Sequence, residues 1–103
     1  MRGRRIAILA VALVIAACGV ERPPPDASGE EIYRSLCANC HGANLEGRIG
    51  PALGPASNAA DQPDSFIETT VLHGRGSMPS FRTVLDEAQV ERLIGYLREV
   101  QGE

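Results

Sequence analysis

The hydrophobic pattern changes character several times along the chain. Residues 6–17 form an unbroken apolar run of 12, short of the ~20 residues that a membrane-spanning helix needs. Next comes GVERPPPDAS, which has no periodicity; its three consecutive prolines favour an extended polyproline II backbone, a short and fairly stiff stalk. Helical patterning then begins. Ser28-Gly29-Glu30-Glu31 fits a capping box, and Ile32, Tyr33 and Leu36 follow on one face, so a helix is expected to run directly into Cys37. A second helix is expected from Asp64, which can cap it, with Phe66, Ile67, Thr70 and Val71 as its apolar side and a stop near Gly74. A third begins at Asp86, with Gln89 at the box position, and Val90, Leu93, Ile94, Leu97 and Val100 recur as an amphipathic stripe. Between these helices lie two segments rich in breakers, GANLEGRIGPALGPASNAADQP and GRGSMPSF. No alternating run argues for a strand. The expected fold is all-α, with about three main helices and long loops. A loop of about twenty residues is out of scale for so small a domain, and makes sense if it wraps a cofactor.

Length and composition sharpen this picture. With 103 residues there is room for one small domain. Arg2, Arg4 and Arg5 precede the apolar run, the layout of an export signal. The run ends in Ile15-Ala16-Ala17-Cys18, which resembles the lipobox of bacterial lipoproteins; the plainer reading is an ordinary signal that carries a cysteine near its cleavage site. The expected organisation is a lipoprotein-type signal peptide at 1–17, a Pro-rich tether at 18–27 with lipid on Cys18, and a folded domain at 28–103. Loss of the three leader arginines would move the net charge from -3 to -6, with no lysine left anywhere. That balance speaks against nucleic-acid binding. It suits a basic docking partner or simply a solvated acidic surface. Two or more acyl chains would hold such a protein on a membrane, whereas one would not. Fewer than about 80 residues make a thin core, which in chains of this size is often completed by a metal, disulfide or cofactor.

Cys37-Ala38-Asn39-Cys40-His41 is the candidate for that addition. A structural zinc site wants four ligands, and His41 directly after Cys40 with no second CxxC is an awkward set. A redox dithiol wants its first cysteine at a helix N-terminus beside a βαβ pattern, and here the motif follows a predicted helix with no strands near it. In CxxCH the two thiols can add across haem vinyl groups while the histidine takes an axial place on the iron. That attachment occurs outside the cytoplasm, in agreement with the export signal. The haem would also fill the thin core. For the opposite axial place the soft donor to look for is methionine, and Met78, in Gly74-Arg75-Gly76-Ser77-Met78-Pro79, is the only one left once Met1 goes with the signal. A methionine filling a core gap is the alternative for it. His73, five residues earlier, would give a bis-histidine iron of lower potential, or simply complement a helix dipole.

In these motifs the chain resembles the bacterial class I c-type cytochromes, single-haem electron carriers. The resemblance covers residues 28–101 and rests on Gly29-x-x-x-Tyr33, Cys37-x-x-Cys40-His41-Gly42, Gly50-Pro51-Ala52-Leu53, Met78-Pro79-Ser80-Phe81 and Leu93-Ile94-Gly95-Tyr96-Leu97. It implies a small cytochrome c fold wrapped around one covalent haem c, with thioethers at Cys37 and Cys40 and His41 and Met78 on the iron. It implies that the first and last helices cross where Gly29 meets Tyr96, and that the Pro51 carbonyl orients His41. Two departures matter. There is no lysine ring for docking, and no tryptophan for the haem propionates, for which Arg48 and Arg75 are candidates; either can equally be a solvated arginine. The function implied is a membrane-tethered periplasmic electron carrier with redox proteins, such as membrane respiratory complexes, as partners. The rival readings are a haem-bearing subunit of a larger oxidase or dehydrogenase, and a ligand-binding or peroxide-reacting haem protein. No acid–base constellation argues for an enzyme.

Overall fold

The computed structural model describes residues 21–103; the expected signal at 1–17 and Cys18 lie outside them. In chain order the elements are α1 (Gly29–Leu36), α2 (Ala38–His41), a 3-10 turn (Asn58–Asp61), α3 (Asp64–His73) and α4 (Glu87–Gln101). The all-α expectation holds, and the only extended pairing among the described residues is a single bridge between Arg75 and Met78. None of the described helices is long and apolar enough to cross a membrane.

Local sequence explains the helix starts. The Ser28 hydroxyl accepts from the Glu31 amide at 3.1 Å while the Glu31 carboxylate accepts from the Ser28 amide at 3.3 Å, a reciprocal pair that satisfies donors the helix itself cannot. Asp86 and Gln89 repeat it at α4, with distances of 2.8 and 2.9 Å. At α3 the expected cap is corrected. Asp64 is the first helical residue, and the cap position falls to Pro63, which has no side-chain acceptor. The Asp64 carboxylate instead takes Arg98 Nε at 2.8 Å, while still placing negative charge at the positive end of α3.

The core forms where α1 crosses α4. A Cβ on Gly29 would stand 2.0 Å from the Arg92 carbonyl oxygen and 2.8 Å from Tyr96 Cβ, so only glycine lets the two backbones meet. Beside this crossing the Tyr33 and Tyr96 rings lie tilted, 5.6 Å apart. Ile32, Tyr33, Val90, Leu93 and Leu97 are buried around it, with Ile67 and Val71 from α3 closing the far side.

The polar side of α4 orders the rest of the chain. Arg98 donates to the carbonyls of Ala59 and Gln62, and Gln101 Nε2 donates to the Leu53 carbonyl at 2.8 Å. The long breaker-rich loop is thereby fastened to a helix in addition to its own turns, such as Leu53 N to Leu45 O at 2.9 Å. The same helix holds the proline segment. Gln89 Nε2 donates to Pro24 O at 3.1 Å, Arg92 donates to Ala27 O at 3.0 Å and Pro25 O at 2.7 Å, and Arg22 donates to Thr83 O at 2.7 Å. The segment is not extended throughout: it turns at Pro25-Asp26, where Ala27 N donates back to Pro24 O at 3.0 Å, and its prolines leave carbonyls that these outside donors take. The segment expected as a stalk thus lies along the domain from Arg22 onward.

Candidate haem site

CxxCH forms its own short helix, α2, starting where α1 ends. Cys37 is the cap between the two and is buried, Cys40 is exposed, and His41 is 8 % exposed. Three successive carbonyls at the end of the motif are each held by a donor from elsewhere. Gly50 N donates to Cys40 O and Gly47 N to His41 O, both at 2.7 Å, and the Tyr33 hydroxyl donates to Gly42 O at 2.6 Å. The peptide units carrying His41 are therefore fixed on both sides.

The ring is fixed as well. His41 Nδ1 lies 2.7 Å from the Pro51 carbonyl. A carbonyl only accepts, so Nδ1 carries the proton and Nε2 keeps the lone pair, the tautomer a metal ligand needs. Gly50 makes the contact possible: a Cβ there would stand 2.9 Å from His41 Cε1 and 3.0 Å from Nδ1. The Gly50-Pro51 pair supplies one residue small enough to lie under the ring and a carbonyl to orient it. The resemblance foretold the Pro51 contact. It did not reveal the Tyr33 hydroxyl on Gly42, because Tyr33 reads in the sequence only as an aromatic on an apolar face.

Met78 is half-buried and packs against the core. Its loop is shaped by the bridge to Arg75, with N–H···O distances of 2.9 and 3.2 Å closing a turn through Gly76 and Ser77. Phe81 N donates to Val71 O at 2.9 Å and the Ser80 hydroxyl to Leu72 O, which fastens the following residues to α3. His73, the last residue of α3, is exposed. Arg48 and Arg75 are exposed, and neither joins an ion pair among the described residues. The Arg75 guanidinium stands over the Phe66 ring, 5.2 Å from its centre.

The rival chemistries of the motif fit poorly. Burial, with a smaller contribution from Cys40, pushes the Cys37 thiol up to about 12, the opposite of an activated redox cysteine. Among the described residues no three His, Cys, Asp or Glu side chains are grouped to hold a metal ion, which removes the structural zinc reading. A covalently held haem does fit. It asks for two thiols at this spacing, an imidazole with Nε2 available and a soft donor from a separate loop, and all are present.

Residues 24–97 match the family described as cytochrome c oxidase, cbb3-type, subunit III. The chain belongs to the c-type cytochromes. It is of class I, a single-haem electron carrier with haem c bound covalently. The cytochrome is 35 % identical to cytochrome c55X of Pseudomonas aeruginosa, over 92 % of this chain and 84 % of that one. It is 37 % identical to the dihydro-heme d1 dehydrogenase of the same organism over 90 % of its own length, but spans only 18 % of that relative. Among solved structures, cytochrome cL from Hyphomicrobium denitrificans aligns with a TM-score of 0.65 and 32 % identity, covering 71 % of this chain and 45 % of that one.

Proposed function

We propose that this cytochrome is a membrane-tethered electron carrier facing the periplasm, with His41 and Met78 as axial ligands and Cys37 and Cys40 as the thioether positions. The haem supplies a one-electron Fe(II)/Fe(III) couple. The observation that carries the reading is the His41–Pro51 contact at 2.7 Å, because it dedicates one ring nitrogen to the protein and leaves the other for iron. The Pro51 carbonyl also fixes the plane of the imidazole. Met78 supports the sixth position, being half-buried in a loop closed on itself, whereas His73 is exposed. Such a loop would hold the thioether ready for the iron, which favours electron transfer over ligand chemistry. Arg48 and Arg75, free of ion pairs with other described residues, are available to pair with propionates. The anchor reading rests on Cys18 after its small apolar residues and on the arginines that precede them.

The test is a visible and far-red spectrum of the oxidised and reduced holoprotein beside Met78→Ala. The wild type is expected to show the weak sulfur-to-iron band in the far red. The variant should lose it and bind carbon monoxide readily when reduced. Haem without that band in the wild type would give the sixth place to His73 or leave it open.

A second reading, a haem-bearing subunit of a larger respiratory oxidase or dehydrogenase, is favoured by the matched family being described as an oxidase subunit. Purification from membranes under mild detergent separates the two: a subunit comes out with large partners in fixed proportion, a carrier comes out alone.

A further inference from the structure

The least expected feature of the fold is what happens to the proline segment. Residues 22–27 make five hydrogen bonds to the domain at distances of 2.7–3.5 Å, four of them to α4 and one to the Thr83 carbonyl. Pro23 and Ala27 are buried against it. Gln89 is committed at both ends, its Oε1 accepting from Asp86 N and its Nε2 donating to Pro24 O, and it is only 3 % exposed. A buried amide used in this way is costly to strip of its partners. Arg92 grips two further carbonyls of the segment.

We propose that residues 22–27 are a strap rather than a leash, and that it seats the domain on a lipid bilayer with the edge formed by Arg22, Arg82 and Thr83 towards the headgroups. The inference rests on the reading of Cys18 as the lipidated residue. Chain length carries it. A leash free from Cys18 to Ser28 would reach about 35 Å, at up to 3.6 Å per residue. With the chain tied down at Arg22, four residue steps remain, a reach of about 14 Å. That is less than the width of a small domain, so the edge where the strap ends must stay near the membrane, and the domain cannot turn freely over it. Asp86 shares this region with Arg22 and Arg82, so its charge is mixed, and the approach is imposed by the short connection rather than by attraction to anionic lipid.

The experiment uses the lipidated holoprotein in supported bilayers of phosphatidylcholine with phosphatidylglycerol, with neutron reflectometry to read the gap between headgroups and protein. The wild type should show a gap no wider than about 14 Å, unchanged by high salt. Gln89→Ala with Arg92→Ala, which releases the strap and is checked for native haem absorbance, should widen the gap or blur the protein layer. A wide, diffuse layer in the wild type overturns the strap by itself, whether or not the variant folds. Equally thin layers in wild type and folded variant also overturn it. Mass spectrometry of the mature N-terminus is read in parallel: absence of lipid on Cys18 overturns the anchor reading and this inference together, whereas lipid with a diffuse layer overturns this inference alone.

Discussion

Tyr33 is fully buried, and its one polar atom donates to the carbonyl of the residue that follows His41. Burial above all, with Cys37, Glu46 and Tyr96 adding to it, raises the phenol well above its ordinary pKa, so it stays a neutral donor at any working pH. Tyr33→Phe keeps the ring and leaves the buried Gly42 carbonyl with the Leu45 amide, at 3.2 Å, in place of two donors. It should lower stability by about 1 kcal/mol in denaturant unfolding of the holoprotein. Tyr96→Phe, whose hydroxyl is bonded to no described residue, should change it by less than about 0.5 kcal/mol. The contrast separates the hydrogen bond from the aromatic packing both tyrosines share. The contact between His41 and the Gly50-Pro51 pair was legible from sequence because it joins short motifs whose chemistry is local. The partner of Tyr33 was not, since a hydroxyl nine residues away from its acceptor leaves no pattern.

Helix starts and stops were equally legible where a side chain makes the cap. Both capping boxes read directly from Ser28 to Glu31 and from Asp86 to Gln89. The start of α3 read wrongly at Asp64 because Arg98, 34 positions away, takes the carboxylate that would have capped. The bonds that order the long loop and the strap were invisible for a like reason: Arg92, Arg98 and Gln101 look in sequence like the solvated face of an amphipathic helix. The crossing of α1 on α4 depends on one position. Gly29→Ala places a methyl 2.0 Å from the Arg92 carbonyl, and neither backbone can yield without unseating the tyrosine pair. It should cost about 3 kcal/mol, at the upper end for overpacking a core, seen as a lower thermal midpoint of the holoprotein. Gly95→Ala is the control within the same helix, because a Cβ there meets nothing within 4 Å.

For the whole molecule, the thin core that the sequence implied has a consequence for the polypeptide alone. Cys37→Ser with Cys40→Ser should yield chain without covalently bound haem, shown by the absence of haem absorbance on denatured protein. That chain should unfold without a sharp transition, because so small a domain lacks the apolar area to fold by itself. A cooperative transition in the double variant would show that the helices suffice. Three separate parts of this structure are tied to one element: α1 crosses α4, the strap hangs from Gln89 and Arg92, and the long loop from Arg98 and Gln101. That element is also the last of the described helices in chain order, and so the last of them to be made. Until it is made, α1, the strap and the long loop lack the partner they share, and the core that buries Cys37 is incomplete. The crossing of that fifteen-residue helix on α1 is therefore expected to form last, together with the haem that completes the thin core.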